Sequence, residues 1–162
     1  MAEEHWYAIR VFWNRTEAVK NMLDERGIEY YAQKIMPSYI FLHTTLKQIE
    51  LLRLTEYNRF YVYVDRATRI PLAIPQREID IFKIMTSAGE GGFEFLGDDP
   101  SVYQKGDLVR VTDGPFKGAE GYVKRIRKDR RLIITISGVA AIATAYIPLE
   151  LLEKVKEESK PA

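Results

Sequence analysis

Hydrophobic positions along residues 1–86 follow two different periods. Four short apolar runs, rich in aromatic and β-branched residues, predict buried strands at residues 5–12, 28–33, 39–43 and 60–64. Between them, apolar side chains recur at helical spacing in residues 16–26 and 46–54, and a third helix is predicted to begin at Pro75. The order β-α-β-β-α-β-α predicts an α+β fold, a ferredoxin-like αβ sandwich built on an antiparallel sheet.

Residues at the predicted helix ends support these boundaries. Asn14 or Thr16 could cap the first helix, because their side-chain oxygens can accept the free amides of a first turn. Thr44 or Thr45 could do the same for the second helix. Gly27 follows the first helix at the position where glycine commonly ends one.

The composition changes after residue 86. Residues 87–101 are rich in Gly, Asp and Ser, which is typical of a linker, although Phe93 and Phe95 interrupt it and indicate partial docking. Beyond it, five short strands separated by turns predict a small C-terminal SH3-like β-barrel. The predicted domains are residues 1–88, a linker at 89–103, a barrel domain at 104–155 and a frayed tail at 156–162.

The hairpin that opens the C-terminal domain carries a dense set of turn residues. Gly beside Pro at residues 114–115 forces a turn, and further glycines permit the sharp curvature that a small barrel needs. The pattern resembles the KOW motif at Gly106, Asp107, Val109, Val111, Gly114, Pro115, Phe116, Gly118 and Gly121. KOW motifs occur in ribosomal proteins and in NusG-type transcription factors, so the motif alone leaves both classes open.

Composition excludes several classes of function. The chain has no Cys, so it forms no disulfide, thiolate metal site or thiol nucleophile. No apolar run approaches the roughly 20 residues of a membrane helix, and the start does not resemble a signal peptide. His5 and His43 stand at strand ends without a catalytic constellation. We therefore expect a soluble, cytoplasmic monomer that is not an enzyme and uses no cofactor or metal.

Charge is distributed unevenly along the chain. Residues 1–100 carry 12 Lys/Arg against 15 Asp/Glu, whereas residues 101–162 carry 12 against 8. Most of the basic excess lies in one patch formed by Lys124, Arg125, Arg127, Lys128, Arg130 and Arg131. The patch is interpreted either as a solvated hairpin tip or as a weak contact for nucleic-acid phosphate or an acidic partner.

The N-terminal domain resembles the NGN domain of the NusG family. The resemblance is carried by Trp6 and Tyr7 in the first strand, Gly27 to Glu29 after the first helix, residues 37–41 and the C-terminal KOW motif. Residues 38–45 and 139–148 are most similar to the specialised UpxY paralogues of Bacteroides-type bacteria. Membership implies an elongation or antitermination factor that suppresses pausing or termination, and the UpxY likeness implies polysaccharide-synthesis operons as targets.

The resemblance also implies partners. The family's first domain binds RNA polymerase at the β′ clamp helices, and the matching residues here are Trp6, Met36, Pro37, Tyr39 and Phe41. Through its KOW domain the family contacts a ribosomal protein or a termination factor. The segment before Met36 is shorter than in the family, so we expect the hairpin tip that some relatives turn toward DNA to be missing here. The alternative function is a ribosome-associated KOW protein that binds RNA.

The resemblance also raises a second possibility for the C-terminal domain, because a NusG-family protein can pack its KOW domain as a helical hairpin. Residues 139–146 are rich in Ala and favour a helix, but residues 132–136 are β-branched and favour a strand. Gly114, Pro115, Gly118 and Gly121 would interrupt a helix across the first half. We therefore expect a β-barrel in the free protein, with the polymerase-binding groove open.

Overall fold

The computed structural model describes residues 2–33, 36, 38–87, 93–97, 106–114, 117–126, 129–136, 138–146 and 149–155. The chain forms two compact units, Met1–Ile79 and Asp80–Ala162. Sequence analysis places the end of the first domain at residue 88, whereas the two units divide inside the third helix. Within the described ranges, no helix is long and apolar enough to cross a membrane.

The first unit is built on a four-stranded antiparallel sheet. Its elements are β1 (Glu4–Val11), α1 (Thr16–Glu25), β2 (Glu29–Tyr31), β3 (Tyr39–Thr45), α2 (Leu46–Thr55) and β4 (Phe60–Val62), followed by α3 (Gln76–Ser87). The strand order is β2-β3-β1-β4, and every neighbouring pair is antiparallel. This is the order that two interlocked β-α-β connections produce, so the predicted ferredoxin-like arrangement is confirmed.

One face of this sheet packs against α1 and α2. Alternation along β1 sends Tyr7, Ile9 and Val11 toward the helices, and Ile40 and Leu42 of β3 join them. The helices contribute Val19, Met22, Leu23, Ile49 and Leu52 to the same core. Full burial of one such side chain stabilises the fold by roughly 1.5–3 kcal/mol, so this face contributes a large part of the unit's hydrophobic stabilisation.

The two helices begin differently. The hydroxyl of Thr45 accepts a hydrogen bond from the Gln48 amide at 3.1 Å, so Thr45 caps α2 as predicted. The predicted cap of α1 is wrong: Arg15 occupies the N-cap position and makes no side-chain capping bond. Asn14 instead adopts a left-handed φ of 64°, a conformation that asparagine tolerates better than most residues, and so it turns the chain before the helix.

The Thr45 cap gives a direct prediction for stability. Thr45→Ala removes the acceptor of the Gln48 amide and is expected to lower the free energy of unfolding by ~1 kcal/mol. Thr55→Ala, at the other end of the same helix, is the matched control. The Thr55 hydroxyl only bonds the Leu51 carbonyl within the helix, so its loss is expected to change stability by less than ~0.5 kcal/mol. Urea unfolding of both variants measures the difference, and equal losses would contradict the capping role.

The second unit contains a six-stranded antiparallel sheet. Its strands are β5 (Phe93–Gly97), β6 (Leu108–Val111), β7 (Glu120–Ile126), β8 (Asp129–Ile136), β9 (Ala140–Tyr146) and β10 (Leu152–Lys154), with a 3-10 turn at Leu149–Leu151. The sheet order is β10-β6-β7-β8-β9-β5. Pairing of the last strand with β6 matches the predicted SH3-like arrangement, and residues in β6 to β9 are strands rather than helices. The sequence prediction of five strands misses β5, which falls inside the predicted linker.

The turn between β6 and β7 depends on glycines in the left-handed region. Gly114 and Gly118 have φ of 86° and 92°, which most residues adopt only with strain. Their turn is closed by hydrogen bonds from the Gly118 amide to the Val111 carbonyl and from the Val111 amide to the Ala119 carbonyl, both 2.9 Å. Pro115 and Phe116 of the predicted motif lie outside the described residues.

Gly121 of the same motif is required for a different reason. It lies in β7 against β8, and a Cβ at this position would collide with the backbone carbonyl oxygen of Ile133 and come within 2.9 Å of its carbonyl carbon. Backbone atoms in a paired strand cannot move aside as a flexible side chain can. Gly121 therefore sets how closely the two strands approach.

Candidate functional site

The other face of the first sheet is lined by aromatic side chains. We call it the aromatic face, and it consists of Trp6, Tyr39, Phe41, His43, Tyr61 and Tyr63. These residues alternate with the core residues along β1, β3 and β4, so they point away from α1 and α2. Cross-strand pairing brings them together, because Trp6 lies opposite His43 and Arg10 lies opposite both Tyr39 and Tyr61.

Trp6 is fixed on this face by three contacts. Its ring stacks on His43 with centroids 4.9 Å apart and planes 28° apart. The indole Nε1 donates to Oε1 of Gln76 at 3.0 Å, and the backbone carbonyl of Trp6 accepts from the Ile74 amide at 2.8 Å. A buried indole N–H usually requires such a partner, so Gln76 both satisfies Trp6 and joins the start of α3 to β1.

Asp65 orders the loop that leads to Ile74 and Gln76. The Asp65 carboxylate accepts from the amides of Ala67 at 2.8 Å and Thr68 at 3.0 Å. Hydrogen bonds from Thr68 and then Ala67 favour the charged form, so they hold the pKa of Asp65 below its usual value. Stability from this turn is therefore present above the ordinary carboxyl pKa and is lost as pH falls through the lowered one.

A second cluster occupies the β3–β1–β4 end of the face. The Arg10 guanidinium lies 5.5 Å from the centre of the Tyr39 ring, within the range of a cation–π contact. Tyr39 stacks on Tyr63 at 6.1 Å, and Tyr63 meets Tyr61 edge-on at 5.3 Å. The row runs from buried Tyr39, which is 2% exposed, to Tyr61, which is 47% exposed. It thus leads from the interior of the unit to its surface.

His43 adds charged partners at the opposite end of the face. Its Nδ1 lies 3.0 Å from a Glu29 carboxylate oxygen and 3.4 Å from one of Glu4. The two carboxylates hold the imidazole in place beneath Trp6.

Tyr7, on the core face, shows a separate electrostatic effect. Burial of its hydroxyl, and second the nearby Glu50 carboxylate, raise the pKa of that hydroxyl. The Tyr7 hydroxyl is therefore neutral over the ordinary pH range.

The structure brings together four of the five residues predicted to bind a polymerase. Trp6, Met36, Tyr39 and Phe41 are each no more than 4% exposed, and Pro37 lies outside the described residues. The carbonyl of Met36 accepts from the Tyr39 amide at 3.0 Å, which places Met36 beside the start of β3. These four side chains are buried in this conformation, and the open groove at these residues stays a prediction.

Sequence analysis did not single out Arg10, Tyr61 or Tyr63 as members of this face. Their signal was available, since Tyr61 and Tyr63 alternate with Phe60 and Val62 in one run. It was missed because a strand with bulky residues at every position does not reveal which set faces the core. The exposed aromatics Phe12 and Trp13, 45% and 94% exposed, were also not singled out.

The predicted basic patch falls on the β7–β8 hairpin. Lys124 pairs with Arg131 and Arg125 pairs with Arg130, so the hairpin holds two pairs of like charges that lie directly opposite each other. Arg127 and Lys128 lie outside the described residues. Nη1 of Arg131 donates to Glu94 of β5 at 2.6 Å, which neutralises the charge of this arginine. Like charges directly opposite destabilise a sheet, so the remaining Arg125–Arg130 pair favours an anion nearby.

Metal chemistry finds no support in the part of the chain that the structure describes. There, no group of three or more His, Cys, Asp or Glu residues lies close enough to hold a metal ion.

Comparison with known proteins shows which proteins this chain resembles. The KOW motif model matches residues 105–136. Two curated relatives carry the name transcription termination/antitermination protein NusG. The one from Rickettsia bellii is 26% identical over 106 residues, which is 65% of this chain and 52% of the relative. The chain carries a KOW motif and is similar in sequence to NusG proteins.

The second such relative, from Yersinia pestis, is 23% identical over 126 residues, covering 75% of this chain and 66% of the relative. The chain thus spans between about half and two-thirds of the length of these two NusG proteins. A solved structure described as domain interaction in Thermotoga maritima NusG aligns with 95% of this chain and 98% of its own, at 17% identity and a TM-score of 0.49.

Proposed function

We propose that this chain is a NusG-type transcription factor that binds RNA polymerase and alters pausing or termination during elongation. The observation that carries the proposal is the combination of a ferredoxin-like unit with a following KOW motif, in a chain similar to two NusG proteins. Each part alone occurs in unrelated proteins. Together they favour the function over the ribosomal alternative, which requires only the KOW motif. No catalytic step is part of the proposal.

The contact with polymerase is proposed to lie on the aromatic face, through Trp6, Met36, Pro37, Tyr39 and Phe41, against the β′ clamp helices. Helices of a partner dock well in apolar grooves, and aromatic anchors supply most of the binding energy in such interfaces. Since four of these side chains are covered in this conformation, binding requires that they become accessible. The exposed Tyr61 and Arg10 extend the same face to the surface and provide a point of first contact.

The finer assignment follows the likeness to the UpxY paralogues. We propose that the chain acts on particular operons, with polysaccharide-synthesis operons as the first targets to test. Its KOW domain is proposed to contact a ribosomal protein or a termination factor.

Binding to purified RNA polymerase from the source organism tests the polymerase contact. We expect the full chain to co-elute with polymerase and to change the fraction of transcripts that stop at a pause or terminator. Tyr39→Ala is expected to weaken binding by ~2 kcal/mol, about 30-fold, and Tyr61→Ala to weaken it by less. Tyr39 is buried, so the variant's fold is checked by circular dichroism, and Tyr61→Ala provides an exposed second test.

Leu54→Ala is the matched control, because Leu54 is 73% exposed on α2, which packs on the opposite face of the sheet. Polymerase binding that is equal for Tyr39→Ala, Tyr61→Ala and Leu54→Ala would reject the aromatic face as the contact.

The ribosomal alternative is favoured by one observation, the opposed Arg125–Arg130 pair. It predicts RNA binding that weakens steeply with salt and that is lost in an Arg125→Glu/Arg130→Glu variant. Absence of polymerase binding together with such RNA binding would replace the proposed function by the alternative.

A further inference from the structure

β5 is an edge strand seated on β9. It pairs antiparallel, with Glu94 opposite Ala143 and Phe95 opposite Ile142. Leu96 packs on a small buried cluster of Ile133, Ala141 and Ala143. We call the β9 edge, together with Arg131 and this cluster, the strand seat. β5 therefore shows which kind of segment binds the strand seat: an extended strand with an acidic and an aliphatic side chain.

Arg131 reaches β5 across an intervening strand. It belongs to β8, yet Nη1 meets the Glu94 carboxylate at 2.6 Å, with β9 lying between the two strands. Two features make this reach possible. The pairing of β8 with β9 shifts register between Arg131 and Ile133, and such irregularities re-aim side chains. The alanines of β9 are short, so they leave room for a long side chain to pass over them.

β5 leaves one hydrogen-bond donor of the strand seat without an acceptor. The Nε of Arg131 is buried and has no hydrogen-bond partner among the described residues. An Arg guanidinium can bind a carboxylate through two parallel bonds, and here Nη1 of Arg131 bonds the Glu94 carboxylate while Nε does not. A buried donor without an acceptor is costly, so a ligand that also reached Nε would bind the strand seat better than β5 does.

β5 is also a short edge strand. Its five residues include a register irregularity between Phe95 and Gly97, and Phe95 leaves 36% of its surface in solvent. The Glu94 side chain is 36% exposed, so its ion pair is partly screened by water. Short edge strands of this kind exchange more readily than the central strands of a sheet.

We propose that the strand seat is a docking site for an extended acidic segment of a partner protein, and that β5 is the built-in segment which this partner replaces. The partner carries an acidic residue opposite Arg131 and an aliphatic residue two positions later, as Glu94 and Leu96 do in β5. Main-chain pairing supplies affinity, and these two side chains supply specificity. Arg125 and Arg130 on the adjoining hairpin add attraction for further acidic residues. This proposal does not depend on polymerase binding.

A peptide of residues 91–99, Gly-Gly-Phe-Glu-Phe-Leu-Gly-Asp-Asp, labelled with fluorescein, is the probe for the full-length chain. Wild type is expected to bind it weakly, since β5 competes at the high effective concentration of a tethered segment. Glu94→Arg repels Arg131 and frees the strand seat, so fluorescence anisotropy should show at least about tenfold tighter binding. Hydrogen exchange should rise at the β9 amides while those of β7 stay protected.

Three further variants decide the interpretation. Glu25→Arg, an exposed charge reversal on α1, is expected to bind like wild type. Glu94→Arg/Arg131→Gln should bind at least about fivefold more weakly than Glu94→Arg, because the carboxylate of the peptide loses its partner. Leu96→Ser removes the contact of β5 with the buried cluster without changing charge. If Glu94→Arg fails to fold, the peptide-binding measurement is made on Leu96→Ser instead.

Two outcomes would overturn the proposal. One is that the folded variant with the open strand seat binds the peptide no better than Glu25→Arg. The other is that it forms a dimer at micromolar concentration in sedimentation, which would assign the strand seat to β5 of a second copy.

Discussion

Gly121→Val is expected to lower the free energy of unfolding of the second unit by ~3 kcal/mol or more. The new side chain would meet the carbonyl oxygen of Ile133, a backbone atom of the paired strand β8, and not a flexible side chain. Relief would require β7 and β8 to separate, at the centre of the six-stranded sheet. Small domains have only a few kcal/mol of stability, so most of the second unit should lose its fold.

Gly118→Ala is the comparison variant, because it introduces backbone strain at a positive φ without a collision. Gly118 has a φ of 92°, but among the described residues a Cβ there would come within 4 Å only of the Cδ1 of Ile84, at 3.9 Å. We expect a loss of ~1 kcal/mol, from the left-handed backbone alone. Thermal melts and amide NMR spectra of both variants measure the contrast. Equal losses, or a Gly121→Val spectrum with native signals for β7 and β8, would show that the strands can move apart at little cost.

Much of the fold was predictable because its signals are local. The glycine and proline spacing between residues 106 and 121 specifies a strand, a tight turn and a second strand, and the β-branched run at 132–136 specifies the next. The alternation of Tyr39 and Phe41 with Ile40 and Leu42 correctly sorted β3 into two faces. It could not say which face is covered, and the structure buries both, with all four residues no more than 2% exposed.

What could not be predicted depends on contacts between distant residues. β5 lies in a segment whose composition is typical of a linker, and its strand conformation follows from pairing with β9, which lies more than 40 positions later. The Arg131–Glu94 ion pair joins residues 37 positions apart, and neither residue carries a local signal for it. The first helix cap failed for the opposite reason, since Asn14 is a good capping residue that instead supplies a left-handed turn.

The two tryptophans give the largest contrast expected from one type of substitution. Trp6→Ala should lower the free energy of unfolding by ~3–5 kcal/mol, because it removes a large buried side chain. Trp6 is 4% exposed, and the variant also loses the stack on His43 and the hydrogen bond to Gln76. The loss of this bond unties the start of α3 from β1.

Trp13→Ala is the matched control, because Trp13 is 94% exposed and deletion of its ring creates no cavity. Its stability should stay within ~0.5 kcal/mol of wild type in urea unfolding. Fluorescence provides an independent check, since these are the only two tryptophans in the chain. Trp13→Ala should leave a blue-shifted emission from buried Trp6, which moves to the red on unfolding. A red-shifted spectrum in folded Trp13→Ala, or a loss below ~1 kcal/mol in Trp6→Ala, would show that Trp6 is solvated in solution and that the aromatic face is already open to a partner.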